Sequence, residues 1–323
     1  MEIPARTGWI ERVRVYPEIG AVTMFLVIFG FFVLLAPNFL SMSSVAGMLN
    51  LAAVVGTVAI GATVLMVAGE FDLSVGATMG LAAMVFIELS NLGVPEGLAL
   101  AATFVFAGGM GLLNAAIVLR AKVSSFIATL GTLMVGRSLL VLWTGGNIVR
   151  LEEPGWVAAV VAGRIHDGGL RMMALWFVVL IVVFHLVMTR RRFGNAVYAV
   201  GGNPSAARTM GIQVERVKVA AFLITSWLAA FAGVMQLSRI GSINALTGQG
   251  FELQAIAAAV VGGALLTGGY GSVLGTLFGA LVAGMVRNGL ILMGFDSRLA
   301  TGLIGLVLII AVIINTRLRG EKG

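Results

Sequence analysis

Residues 48–68 read MLNLAAVVGTVAIGATVLMVA, an apolar and small-residue run without a single charge. A helix rises about 1.5 Å per residue and a bilayer's hydrocarbon core is about 30 Å thick, so roughly 20 such residues cross it. The run therefore predicts a membrane-spanning helix. Working outward, similar segments recur at 19–36, 74–92, 97–119, 124–143, 172–188, 218–238, 253–266, 272–293 and 299–316. They predict an all-α fold, a polytopic transmembrane helix bundle of about ten crossings, with 253–266 the shortest of them.

Composition agrees. Apolar residues make up 59% of the 323-residue chain and charged residues 11%, against roughly 25% in soluble domains. So few charges cannot cover a surface in water; lipid must cover it. The chain has no cysteine, which excludes disulfides and thiolate metal sites. Its two histidines, His166 and His185, lack zinc-site spacing. The net charge of +7 does not indicate nucleic acid, because the basic residues flank apolar spans as topology signals do.

Their distribution orients the chain. With the N-terminus inside, the cytoplasmic face receives Arg6, Arg12, Arg14, Arg120, Lys122, Arg190, Arg191, Arg192, Arg208, Arg216, Lys218, Arg317, Arg319 and Lys322. The outer face receives only Arg150, Arg164, Arg171, Arg239 and Arg298. The positive-inside rule favours this orientation and hence both termini in the cytoplasm. The run 19–36 is longer than a signal-peptide core and lacks a small-residue cleavage site, so it reads as the first span. The expected organisation is a cytoplasmic segment 1–18, a transmembrane domain 19–316 and a cytoplasmic tail 317–323. An outer loop lies at 144–171 and a basic inner loop at 189–217. Many glycines fall inside spans, among them the GxxxG pair Gly275 and Gly279, and close helix packing is their preferred reading.

No catalytic pattern is present: neither GxxxxGK[ST], HExxH nor GxSxG occurs, so no ATP hydrolysis is expected of this chain alone. The inner loop holds a helix signature. Asn203 is a good N-cap, Pro204 fits the first helical position, residues 205–210 continue it, and Gly211 is a natural stop. Such a helix is too short to stand alone in water and must dock, either on a partner or on this protein's own membrane face. Small Ala206 and Ala207 would let a partner approach closely. Between two spans, Glu70 and Asp72 are acidic at membrane depth, a functional signal by default. Asp72 or Ser74 also suits capping of the next helix. Arg137 and Arg287 fall within spans; Arg137 is placed to snorkel outward, and Arg287 to pair with Glu252 or Asp296.

Three stretches carry a resemblance: 69–76 (GEFDLSVG); 193–203 (FGNAVYAVGGN), continuing through Ala206-Ala207-Arg208, Gly211-Ile212 and Arg216-Val217-Lys218; and 248–258 (GQGFELQAIAA), followed by Val261-Gly262-Gly263 and Gly275-Thr276. In order and spacing these resemble the ribose-type sugar permeases of ATP-binding-cassette (ABC) importers, from about Asn50 onward. Ribose-type members often have Gly-Ile-Asp where this chain has Glu70-Phe71-Asp72.

The resemblance implies an inner-membrane permease subunit paired with an identical or closely related second one. It further implies two cytoplasmic ATPase subunits, which hold ATP and Mg, and a periplasmic sugar-binding protein; this chain itself would carry no cofactor or metal. It also implies that Asn203, Pro204, Ala206, Ala207, Arg208 and Gly211 couple to the ATPase. Glu70, Phe71, Asp72, Ser74, Arg137, Phe251 and Glu252 are then pathway or gating candidates. Branched-chain amino acids remain an alternative substrate class. An ion-coupled secondary transporter is the rival mechanism, with Glu70, Asp72, Glu88 and Glu252 the few candidate ion carriers.

Overall fold

The structure is a computed structural model and describes residues 17–165 and 167–296, with 299, 302, 303, 305, 306 and 309. Its helices are α1 (Pro17–Leu35), α2 (Met42–Val67), α3 (Val75–Asn91), α4 (Glu96–Arg120), α5 (Ser125–Thr144), α6 (Trp156–Ala162), α7 (Met172–Arg190), α8 (Arg192–Gly202), α9 (Pro204–Thr209), α10 (Val214–Ile240), α11 (Phe251–Val261) and α12 (Val273–Leu292). A two-residue strand β1 (Val149–Arg150) pairs antiparallel with β2 (Ser242–Ile243).

Helix α2 is the axis of the bundle. It is buried over almost its whole length and packs against α7, α10, α11 and α12. Its sequence allows this because Ala52, Ala53, Gly56, Ala59, Gly61 and Ala62 let neighbours approach. Helix α1 is the opposite case, little buried within the chain. It leans chiefly on α12, through Phe25 against Phe278 at 5.5 Å between ring centres and Phe32 against Gly289. Glycines Gly275 and Gly279 do pack helices: a methyl on either would overlap a backbone carbonyl of Gly262 or Ala258. Helices α11 and α12 are therefore in backbone contact.

The connections sort to two ends. One end gathers the C-terminus of α2, the N-termini of α5, α10 and α12, and all of α8 and α9; Glu18 accepts from Ser272 there at 2.6 Å, and Tyr198 donates to the Gly271 carbonyl at 2.8 Å. The basic residues Arg190, Arg191, Arg192, Arg208, Arg216 and Lys218 lie on its elements. The opposite end holds the β1–β2 ribbon and α6. There Asn91 donates to the Arg150 carbonyl at 2.9 Å, and Glu96 accepts from the Gly155 and Val157 amides.

Seven described helices are long and apolar enough to cross a membrane, and α3, at 17 residues, falls just short of that length. The 253–266 segment is not a full-length helical span. Its helix, α11, has 11 residues and so reaches only about 16 Å, half a bilayer core. The expected span at 299–316 lies largely outside the described residues, as do the segment 1–16 and the tail 317–323.

Candidate functional site

Two breaks interrupt the helical backbone, the first mostly buried and the second partly exposed. The first, residues 68–74, joins α2 to α3. Non-helical backbone at membrane depth must have its polar groups satisfied by protein or water, and here α5 supplies the partners. The Phe71 amide donates to Ser125 Oγ at 3.1 Å and the Leu73 amide to Thr129 Oγ1 at 3.0 Å. Asp72 is buried and accepts from the Ser74 amide at 2.8 Å and the Ser74 hydroxyl at 2.6 Å. Asn114 of α4 joins them, donating to Ser74 Oγ at 2.8 Å and lying 3.3 Å from Asp72 Oδ2, while its carbonyl accepts from Thr132 at 2.8 Å. Asp72 thus holds the start of α3, and the Ser74 side chain serves Asp72 instead of capping the helix. Glu70 has another role. Its carboxylate forms an ion pair with Lys218 in the first turns of α10, both side chains nearly buried.

The second break, residues 241–250, joins α10 to α11. It opens with Gly241 and closes with Gly248 and Gly250, all at positive φ, the conformation glycine adopts without steric penalty. Gly248 lies directly on Gly76 of α3, where a methyl would overlap the Gly76 carbonyl. Arg137 meets this break from α5. It lies 12 residues into a 20-residue helix, so about 18 Å along a rod of about 30 Å. Its Nη1 donates to the Thr247 carbonyl at 2.8 Å, and its Nη2 faces Glu252 Oε2 at 3.8 Å. Glu252 also accepts from the Gly250 amide at 3.2 Å, and Phe251 is buried beside it. Arg137 therefore turns inward instead of snorkelling, and it, not Arg287, is the cation beside Glu252. Nη2 and Oε2 are both buried without a hydrogen-bond partner. At 3.8 Å they attract by charge, across a distance too long for a hydrogen bond.

At the basic end α9 is formed as its cap signature requires. Asn203 Oδ1 accepts from the Ser205 amide at 3.1 Å and the Ala206 amide at 3.0 Å, Pro204 occupies the first turn, and Gly211 ends the motif at φ +83°. Ser205, Ala206, Arg208 and Met210 are exposed. Arg208 pairs with Glu215 at 2.6 Å on the surface. Ala207 is fully buried within this chain, so it offers no face to a partner. Its small size is needed for packing beneath α9 and not for docking above it.

Asn114, Thr129 and Thr132 also belong to these networks, although no motif marks them, and so does Lys218, which falls in the second resemblance stretch without any sign there of its partner. The usable signal is spacing: Ser125, Thr129 and Thr132 recur at i, i+4 and i+7, one polar stripe on the first half of α5.

The pattern of the family described as branched-chain amino acid transport system / permease component matches residues 44–312. This chain belongs to that permease family. The matched region holds both breaks, α8 and α9, and leaves α1 outside. Among the family's relatives, the ribose import permease protein RbsC of Bacillus subtilis (strain 168) is 34% identical over 284 residues, 88% of each chain. The probable ABC transporter permease protein YphD of Escherichia coli (strain K12) is 34% identical over 298 residues, 92% of this chain and 89% of that protein. The autoinducer 2 import system permease protein LsrC of Salmonella typhi is 32% identical over 307 residues, 94% of this chain and 86% of that protein.

Proposed function

We propose that this chain is the permease subunit of an ABC importer that moves a monosaccharide or related polyol across the bacterial inner membrane. The observation that carries the reading is α9: a capped helix of six residues, exposed at the basic end of a membrane bundle. Such a helix gains little stability alone, so its exposed face is suited to a partner's groove. Membership in the permease family supports an ATPase as that partner, because the chain itself has no nucleotide-binding motif. The ribose and autoinducer 2 import relatives support a polyhydroxylated solute over a branched-chain amino acid.

In this reading the chain makes about ten crossings with both termini cytoplasmic, as the positive-inside pattern favours. It pairs with a second permease subunit, two ATPase subunits bind ATP and Mg, and a periplasmic binding protein docks on the outer loop 144–171. Arg208, Ala206 and Met210 contact the ATPase, while Asn203, Pro204 and Gly211 shape α9. The two breaks line or gate the path. A neutral polar solute suits them, because Arg137 and Glu252 offset one another in charge.

The test is reconstitution in vesicles. The chain alone should hydrolyse no ATP and accumulate nothing. With its ATPase and binding protein it should accumulate labelled ribose or a related sugar when ATP is supplied. Uptake of leucine instead would move the substrate to branched-chain amino acids, and gradient-driven uptake by the chain alone would make it a secondary transporter.

A further inference from the structure

Behind α9 the chain forms a joint of bare backbone. Three turns meet there: 67–70 after α2, 201–202 at the end of α8, and 268–269 in the loop after α11. The Gly269 amide donates to the Val67 carbonyl at 2.9 Å. A methyl on Gly201 would overlap that same carbonyl and lie 2.6 Å from the Gly269 nitrogen. One on Gly269 would lie 2.7 Å from the Gly202 Cα, and one on Gly268 would lie 2.8 Å from the Gly69 Cα. Around this core, Tyr198 of α8 donates to the Gly271 carbonyl at 2.8 Å, and Glu70 is ion-paired to Lys218 on α10. With no side chains between them, the turns cannot slide past one another without a steric clash, and close-packed contacts of this kind transmit displacement.

What lies beyond the joint gives it a direction. The loop 262–272 leads back into α11, a short buried rod seated on α12 through the Gly262–Gly275 and Ala258–Gly279 contacts. The far end of α11 carries Gly250, Phe251 and Glu252, the edge of the second break. The rod therefore connects the base of the α8–α9 hairpin to the Arg137–Glu252 pair.

We propose that α11 is a lever: displacement of α9 passes through the Gly201 joint and shifts the 244–250 break. Tyr198 and Gly201 are then positioning residues for transport. The proposal rests on the reading of α9 as the ATPase-docking element. It explains why α11 stops at half a bilayer and why the loop after it meets 69 and 201–202 through glycine backbone.

The absence of cysteine permits a direct test. Ser205→Cys on α9 and Gln249→Cys in the break, both at exposed positions, each take a single spin label in the vesicle-embedded complex with ATPase and binding protein. A non-hydrolysable ATP analogue should change the spectrum at both sites. In Gly201→Ala the response at Ser205→Cys should persist while that at Gln249→Cys falls at least about fivefold, the lower end of ordinary site-to-site coupling. Sugar moved per ATP should fall in parallel. Gly202→Ala adds a methyl into open space one residue away and should leave both responses intact. Tyr198→Phe removes one hydrogen bond and should reduce the Gln249→Cys response about two- to tenfold; it carries the test if Gly201→Ala fails to assemble. A full Gln249→Cys response in Tyr198→Phe and in any assembled Gly201→Ala complex overturns the lever, as does equal loss in Gly202→Ala. No response at Ser205→Cys in the otherwise unaltered complex overturns the docking reading itself, which separates the two failures.

Discussion

Removing the charge from Glu70 should cost far more alone than together with its partner. Glu70 and Lys218 are only 11% and 14% exposed, so Glu70→Gln leaves an ammonium nearly buried with no counter-charge. Breaking a buried pair by removing one partner costs about 3–5 kcal/mol. The residual exposure lets water reach Lys218, which brings the expected cost to about 2–3 kcal/mol. Unfolding entropy of about 2.1 cal/mol/K per residue, over 323 residues, converts this to a midpoint lowered by about 3–4 °C. Lys218→Met should show a similar loss. The double variant Glu70→Gln with Lys218→Met buries neither charge and should recover most of it, a coupling of about 2 kcal/mol. Thermal unfolding in detergent, followed by tryptophan emission, reads all three. If the double variant melts as low as the two single losses added together, the pair is not an energetic unit and the reasoning fails.

Asn203→Ala removes the only side-chain cap of α9, worth about 0.5–2 kcal/mol, so the Ser205 and Ala206 amides should exchange with deuterium about two- to thirtyfold faster, with global stability unchanged. Unchanged exchange there would show that α9 is held by packing and not by its cap. Met210→Glu, at a position 70% exposed, should abolish co-purification with the ATPase while melting normally, whereas Ala207→Glu should lower the yield of folded protein because it forces a charge into a packed interior. Gly279→Leu should separate α11 from α12 and prevent folding, while Gly131→Ala, which meets nothing, should be neutral or stabilise by up to about 1 kcal/mol; equal yields of the two on size-exclusion chromatography would contradict the assigned seam.

The seven long apolar helices were legible from unbroken apolar runs, because lipid demands length and hydrophobicity and little else. The α9 cap was legible because its chemistry is local: Asn203, Pro204 and Gly211 act on their immediate neighbours. Partnerships across the bundle were not. Lys218 reads as one more topology charge, and only folding brings it to Glu70, 148 positions away. Arg137 carries no sign in sequence of facing Thr247 and Glu252 instead of snorkelling. Ala207 reads equally well as an outward or an inward small residue, since a helix of six residues has too few positions to define a buried face. The short reach of α11 is hidden because the apolar loop after it extends the run to 266.

Helix α1 has a consequence for biosynthesis. It is made before the other described helices, yet the helix it leans on, α12, begins about 240 residues later, a delay on the order of 10–50 s at ordinary translation rates. Throughout that interval α1 must persist in lipid without its neighbour. Its apolar character around the whole circumference suits that wait. Helix α2 follows it immediately, rich in alanine, glycine and threonine, and is shaped for company that has yet to be made. The nascent chain thus holds a self-sufficient anchor first and an incomplete core second. The α1–α12 contact can close only after the ten helices between them have been made.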